Sequence, residues 1–178
     1  DLCARALLEA GANLEAQQNE GFTALMLSAQ NGHEQCALAL LKAGANLEKQ
    51  TAKGFTSLML AAQNNHEQCA RVLIEAKANL EAQQNQGFTA LMISASSGHE
   101  LCARALIEAR AAVDATAEDG YTALMFCCEN GHEQCVRALV EAKANIHAKN
   151  KDKDTALDIA RREGHAVVCQ LLEKEDPT

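Results

Sequence analysis

One interval constrains this chain more than anything else in it. Thr23, Thr56, Thr89, Thr122 and Thr155 lie 33 residues apart, each followed by a small residue and then a leucine. His33, His66, His99, His132 and His165 keep the same interval. A fixed period of this length, marked by Thr-x-Leu and by a following Gly-His, is the signature of stacked helical units rather than of one central core. It replaces the single ordinary domain that 178 residues would suggest with about five units.

The unit from Ala16 to Glu48 serves as the pattern. The polar run 16–21 ends in Gly21 and reads as a tight turn. Thr23 is an N-cap, because its hydroxyl can accept from a free N–H at the start of a helix. The spacing predicts a short helix over 24–31, with Leu25, Ser28 and Ala29 facing inward, stopped by Gly32 in the left-handed conformation. Asn65 holds that stop in the second unit, and asparagine is the next best residue there. Glu34 opens a second helix with its charge at the positive end of the helix dipole. Cys36, Ala37, Leu40 and Leu41 form one apolar stripe on it, and Lys42 and Gly44 end it.

Composition suits this picture. The 48% hydrophobic content is mostly Ala, Leu, Cys, Ile and Val, with no Trp, and Pro177 is the one proline. A net charge of −8 disfavours nucleic acid or an anionic membrane as the main partner. No apolar run approaches the roughly 20 residues of a membrane span. Cys3, Cys36, Cys69, Cys102 and Cys135 share one phase of the period. Neighbouring units place such positions ~8–10 Å apart, whereas a disulfide needs Cα atoms within roughly 4.4–6.8 Å. Free buried thiols are therefore expected, and with them a reducing compartment: intracellular, cytoplasmic or nuclear.

Thr, Leu, Gly-His and Leu-Leu at these offsets resemble the ankyrin repeat over essentially the whole chain. The resemblance implies an all-α solenoid of stacked helix-turn-helix units. It places a partial repeat at 1–22, repeats at 23–55, 56–88, 89–121 and 122–154, and a C-terminal capping repeat at 155–178. Because residues 1–8 align with the second half of a unit, a fragment of a longer protein is expected, with repeats upstream. At the C-terminus, Thr155 and Asp158 make a capping pattern, and Arg161, Arg162 and Glu163 supply a charged closing surface.

Several positions depart from the family pattern. The family's proline is Ala24, Ser57, Ala90, Ala123 and Ala156, and its next histidine is Met26, Met59, Met92, Met125 and Asp158. In the family that histidine ties neighbouring loops together, so part of this network is expected to be lost. The glycine ending the second helix, Gly11 and Gly44, becomes Lys77, Arg110 and Lys143, where looser or altered corners are expected.

The leading candidate site is a row. Phe22, Phe55, Phe88 and Tyr121 directly follow the turn glycine in four successive units, with Asp154 completing the series. Aromatic side chains are favoured interface anchors, and the resemblance puts this position on the concave face of turn tips and first helices. The alternative is that each ring packs on its own turn. Glu20, Lys53, Gln86 and Asp119 flank the row on the turns, with Gln17, Gln50 and Gln83 beside them. Gln30, Asn31, Gln63, Asn64, Glu129 and Asn130 end the first helices. Together they would line a neutral, hydrogen-bonding groove that suits a peptide or protein surface. Plain solvation is the competing account of each one.

Other chemistry finds little support. His-Glu-Gln-Cys at His33, His66 and His132 offers one ligand pair per unit, whereas a closed zinc site needs four converging ligands. No metal or cofactor is expected. Cys127 and Cys128 read as small packing residues, since Glu129 disfavours a thiolate there. Met26, Met59, Met92 and Met125 read as a packing ladder, or as an adaptable apolar surface if exposed. No catalytic constellation is present. The expectation is a monomeric, non-catalytic scaffold that binds a protein or peptide partner on its concave face. The alternatives are a spacer or regulatory segment of a longer enzyme or channel, or a designed or selected ankyrin binder; the cysteines and the drift between units argue against design.

Overall fold

Each first helix starts where its threonine stops. In the computed structural model, which describes residues 11–175, Thr23, Thr56, Thr89, Thr122 and Thr155 are extended, and their side chains accept the amide three residues on. Residues 1–10 of the half-unit expected at the N-terminus, Cys3 among them, and residues 176–178 lie outside the described residues. The helices thus capped are α1 (Ala24–Gln30), α3 (Ser57–Gln63), α5 (Ala90–Ser96), α7 (Ala123–Asn130) and α9 (Ala156–Arg162). After a left-handed residue, each chain turns into a second helix. These are α2 (Glu34–Lys42), α4 (Glu67–Glu75), α6 (Glu100–Glu108), α8 (Glu133–Glu141) and α10 (Ala166–Glu175). The described residues form ten helices, packed pair after pair in chain order, with no strand beyond an isolated antiparallel bridge between Thr116 and Thr122.

Packing follows the period. Leu25, Leu58, Leu91 and Leu124 are each 1% exposed, and Leu73, Leu106 and Leu139 are fully buried. Met26, Met59, Met92 and Met125 are buried beside them, which decides for packing over an adaptable surface. Small residues let first helices approach one another closely: Ala29, Ala62, Ala95, Cys128 and Ala160 are all buried. The contacts between first helices are more extensive than those between second helices, which favours curvature towards the first-helix side.

One expectation requires correction. The corners at Lys77 (φ 70°), Arg110 (71°) and Lys143 (65°) keep the left-handed geometry of Gly44 (92°). Bonds from Lys77 N to the Ile74 carbonyl and from Ala78 N to the Leu73 carbonyl, repeated at the other two corners, close that geometry despite a cost of roughly 1–2 kcal/mol per non-glycine residue. Where methionine replaces the family histidine, the loops are tied through the backbone. Backbone bonds run from Ala52 N to Glu20 O, Asn85 N to Lys53 O, Glu118 N to Gln86 O and Lys151 N to Asp119 O, at 3.0–3.3 Å. A second ladder runs along the inter-unit loops. Glu15, Glu48, Glu81 and Asp114 each accept the backbone N–H of Asn46, Asn79, Ala112 and Asn145 respectively, at 2.8 Å.

The last unit carries paired charges. Asp158 and Thr155 form a reciprocal capping box, and Arg161 pairs with Glu173 at 2.7 Å. No helix among the described residues is long and apolar enough to cross a membrane.

Candidate partner-binding face

The turn tips carry both the aromatic row and its polar flank. In each tip the residue four before the ring donates its N–H to that ring residue's own carbonyl, as from Thr51 to Phe55 at 3.0 Å and from Ala117 to Tyr121 at 2.9 Å. The ring position is thereby fixed at the exit of a closed turn. Glu20, Lys53, Gln86 and Asp119 keep exposed side chains while their carbonyls hold the tip-to-tip ladder. Four variable side chains thus stand on a rigid backbone rail, a link between rail and flank that the sequence did not reveal.

The rings are half-buried rather than free. Phe55, Phe88 and Tyr121 pack against the core. Phe88 and Tyr121 flank Phe126 of α7, with centroids 4.7 and 5.1 Å away and tilted planes. Such tilted aromatic pairs add about 0.5–1.5 kcal/mol beyond the burial of their area. Phe126 was not among the expected site residues. Its signal was present, since Leu27, Leu60, Ile93 and Ile159 occupy the same phase and it is the only aromatic there. Tyr121 lies beside Arg162, whose guanidinium pairs with Asp154 and Glu163; these partners, Asp154 foremost, raise the Arg162 pKa. The row therefore meets the charged residues of the last unit.

The polar residues separate into two kinds. Asn31, Asn64 and Asn130 turn back to donate to Leu27, Leu60 and Phe126 carbonyls at 2.8–3.0 Å, capping their own helices. Gln17, Gln50 and Gln83 reach the next tip, donating to Gln50, Gln83 and Thr116 carbonyls at 3.2–3.4 Å. These amides serve the stack as well as its surface. Gln63 is exposed, and Gln30 and Glu129 are partly so.

The histidines are structural. His132 and His165 donate through Nε2 to the carbonyls of Ser96 and Glu129, both at 3.0 Å. His99 instead uses Nδ1 on the Ala62 carbonyl, one residue earlier, at 2.9 Å. The cause lies in the preceding stop. A Cβ at Gly98 or Gly131 would stand 2.6 Å from the following imidazole, and Asn65 carries such a Cβ against His99. No group of three or more metal-ligating side chains converges among the described residues.

Read together, paired helices in series, threonine caps and histidines bridging to the preceding unit point to one family. A scan against protein families matches the family described as ankyrin repeats (3 copies) three times, over residues 1–51, 40–119 and 109–178. The chain belongs to the ankyrin-repeat family. A search of curated proteins found no match. Ankyrin repeats are in general protein–protein interaction modules, and the tips of this ankyrin-repeat stack differ in charge from unit to unit at Glu20, Lys53, Gln86 and Asp119.

Proposed function

We propose that this ankyrin-repeat stack is a non-catalytic scaffold that binds a protein or peptide segment across its turn tips and first helices. The observation that carries the proposal is the combination at the tips. Half-buried aromatic rings recur at one position, and near each an exposed side chain differs in charge from that of the unit before: Glu20, Lys53, Gln86, Asp119. A partly covered aromatic ring offers apolar contact area at low ordering cost. A rail fixed by backbone bonds lowers the entropy lost on binding. The second-helix face offers instead ion pairs already satisfied between units. Arg71 bridges Glu67 and Glu108, and Arg104 bridges Glu100 and Glu141, at 2.7–3.0 Å.

The test replaces Phe22, Phe55, Phe88 and Tyr121 by alanine and compares partner capture with the native chain after circular dichroism shows that helicity is kept. Loss of capture by the folded variant supports the reading. Undiminished capture moves the site to another face.

A further inference from the structure

Arginine straps tie neighbouring second helices together. Arg71 of α4 donates Nε to Glu67 of its own helix at 2.7 Å and Nη1 to Glu108 of α6 at 3.0 Å. Arg104 of α6 repeats this with Glu100 at 2.8 Å and with Glu141 of α8 at 3.0 Å. In both straps the far carboxylate stands 37 residues beyond the arginine. The same offset from Arg137 of α8 leads to Lys174 of α10. A cation thus occupies the place where a strap needs a carboxylate. Among the described residues Arg137 has no ion pair, with Glu133 of its own helix or with any other acid.

The groove that such a strap would cross is open. A cavity of about 110 Å³ lies between α8 and α10, lined by Val136, Arg137, Val140, Glu141, Leu171 and Glu175. Val136 is fully buried, and Val140 and Leu171 are partly buried against the core, so the floor is aliphatic. The volume has room for one aliphatic side chain. Arg137 and Lys174 are both exposed. Of the two rim carboxylates, Glu141 is already held by Arg104. Glu175, one turn beyond Leu171 on α10, leaves Arg137 unpaired. The two strapped junctions show what satisfies an arginine at this position: a carboxylate carried on a helix.

We infer that the groove between α8 and α10 docks an acidic amphipathic helix of another protein. An aliphatic side chain of that helix seats on Val136, Val140 and Leu171, and a glutamate one turn away brings its carboxylate to Arg137. An apolar anchor and a charged one at helical spacing is how a helix is read by a groove. The guanidinium can take the carboxylate through two parallel N–H groups. Lys174 favours the same acid and disfavours a basic helix, which makes the charge selective. The groove lies on the second-helix face, so its occupant is a second protein, distinct from the segment held at the turn tips.

The fold itself supplies the decisive variant. Lys174→Glu places at the last junction the carboxylate that Glu108 and Glu141 place at the two before it, so the chain closes its own groove and keeps its structure. The probe is a fluorescent synthetic helix of about 15 residues with leucines and one glutamate on a single face, titrated into the full chain. Anisotropy reads affinity, and methyl NMR reads the place. Saturable binding is expected, with shifts at the Val136, Val140 and Leu171 methyls. Binding should weaken at least about tenfold for Lys174→Glu, for Arg137→Gln, and for a probe whose glutamate is replaced by glutamine. No binding to the native chain, equal binding to Lys174→Glu, or equal binding of the glutamine probe overturns the inference. So does a chain that dimerises on its own and is made monomeric by Lys174→Glu, which assigns the groove to a second copy.

Discussion

At the scale of single residues, the stack is governed by which atoms sit at the helix stops. A carbonyl can only accept, so the imidazole nitrogen that meets it carries the proton. His99 is therefore the Nδ1–H tautomer, and His132 and His165 are Nε2–H. Replacing Asn65 by glycine removes the Cβ facing His99, and nitrogen-proton NMR should then find His99 switched to Nε2–H; an unchanged His99 contradicts this account. Left-handed Lys77 and Lys143 yield a second prediction. Lys77→Gly should raise stability by on the order of 1 kcal/mol, read by urea unfolding, whereas a loss would show that the lysine side chain contributes more than its backbone costs. Asp158 supplies the pH dependence. Hydrogen bonds from the Thr155 hydroxyl and backbone hold its carboxyl below the usual carboxylate range. Because the folded value is depressed, its contribution is complete above the unfolded value and is lost as pH falls through the folded one. Thr155→Ala should move the Asp158 titration midpoint upward, measured on its side-chain carbonyl.

At the scale of the helix, equivalent residues differ by what lies beside them. Leu60, Ile93, Phe126 and Ile159 are at most 7% exposed, whereas Leu27 in the same phase is 41% exposed. Leu60→Ala should cost about 2–4 kcal/mol and Leu27→Ala less than about 1. Equal costs would contradict the burial difference. The helices were legible because each boundary is written locally: threonine, then a run of apolar and small residues, then a left-handed stop and histidine. The tilted trio of Phe88, Phe126 and Tyr121 was not, since its contact between Phe88 and Phe126 joins neighbouring units through the pitch of stacking, which no local pattern encodes. The acidic ladder escaped notice for a similar reason. Glu48 meets Asn79 across a unit boundary, and in the sequence it is one more charged loop residue.

Across the whole molecule, stability is a sum of unit terms and neighbour terms, so a broken rung weakens one junction before the rest. Glu48→Ala should speed hydrogen exchange at the Asn79 amide while distant second helices such as α8 keep their protection. The altered geometry expected at the lysine corners came from judging one residue apart from the helix end whose bonds close it. The rail at Glu20, Lys53, Gln86 and Asp119 is the corresponding property of the assembled stack, and the functional claim rests on it. The most direct measurement places a photo-crosslinking residue singly at Lys53, at Gln86, and, on the opposite face, at exposed Gln68 and Arg137. The account predicts that the captured partner is labelled from Lys53 and Gln86 and not from Gln68 or Arg137. Labelling from the second-helix positions alone would contradict it.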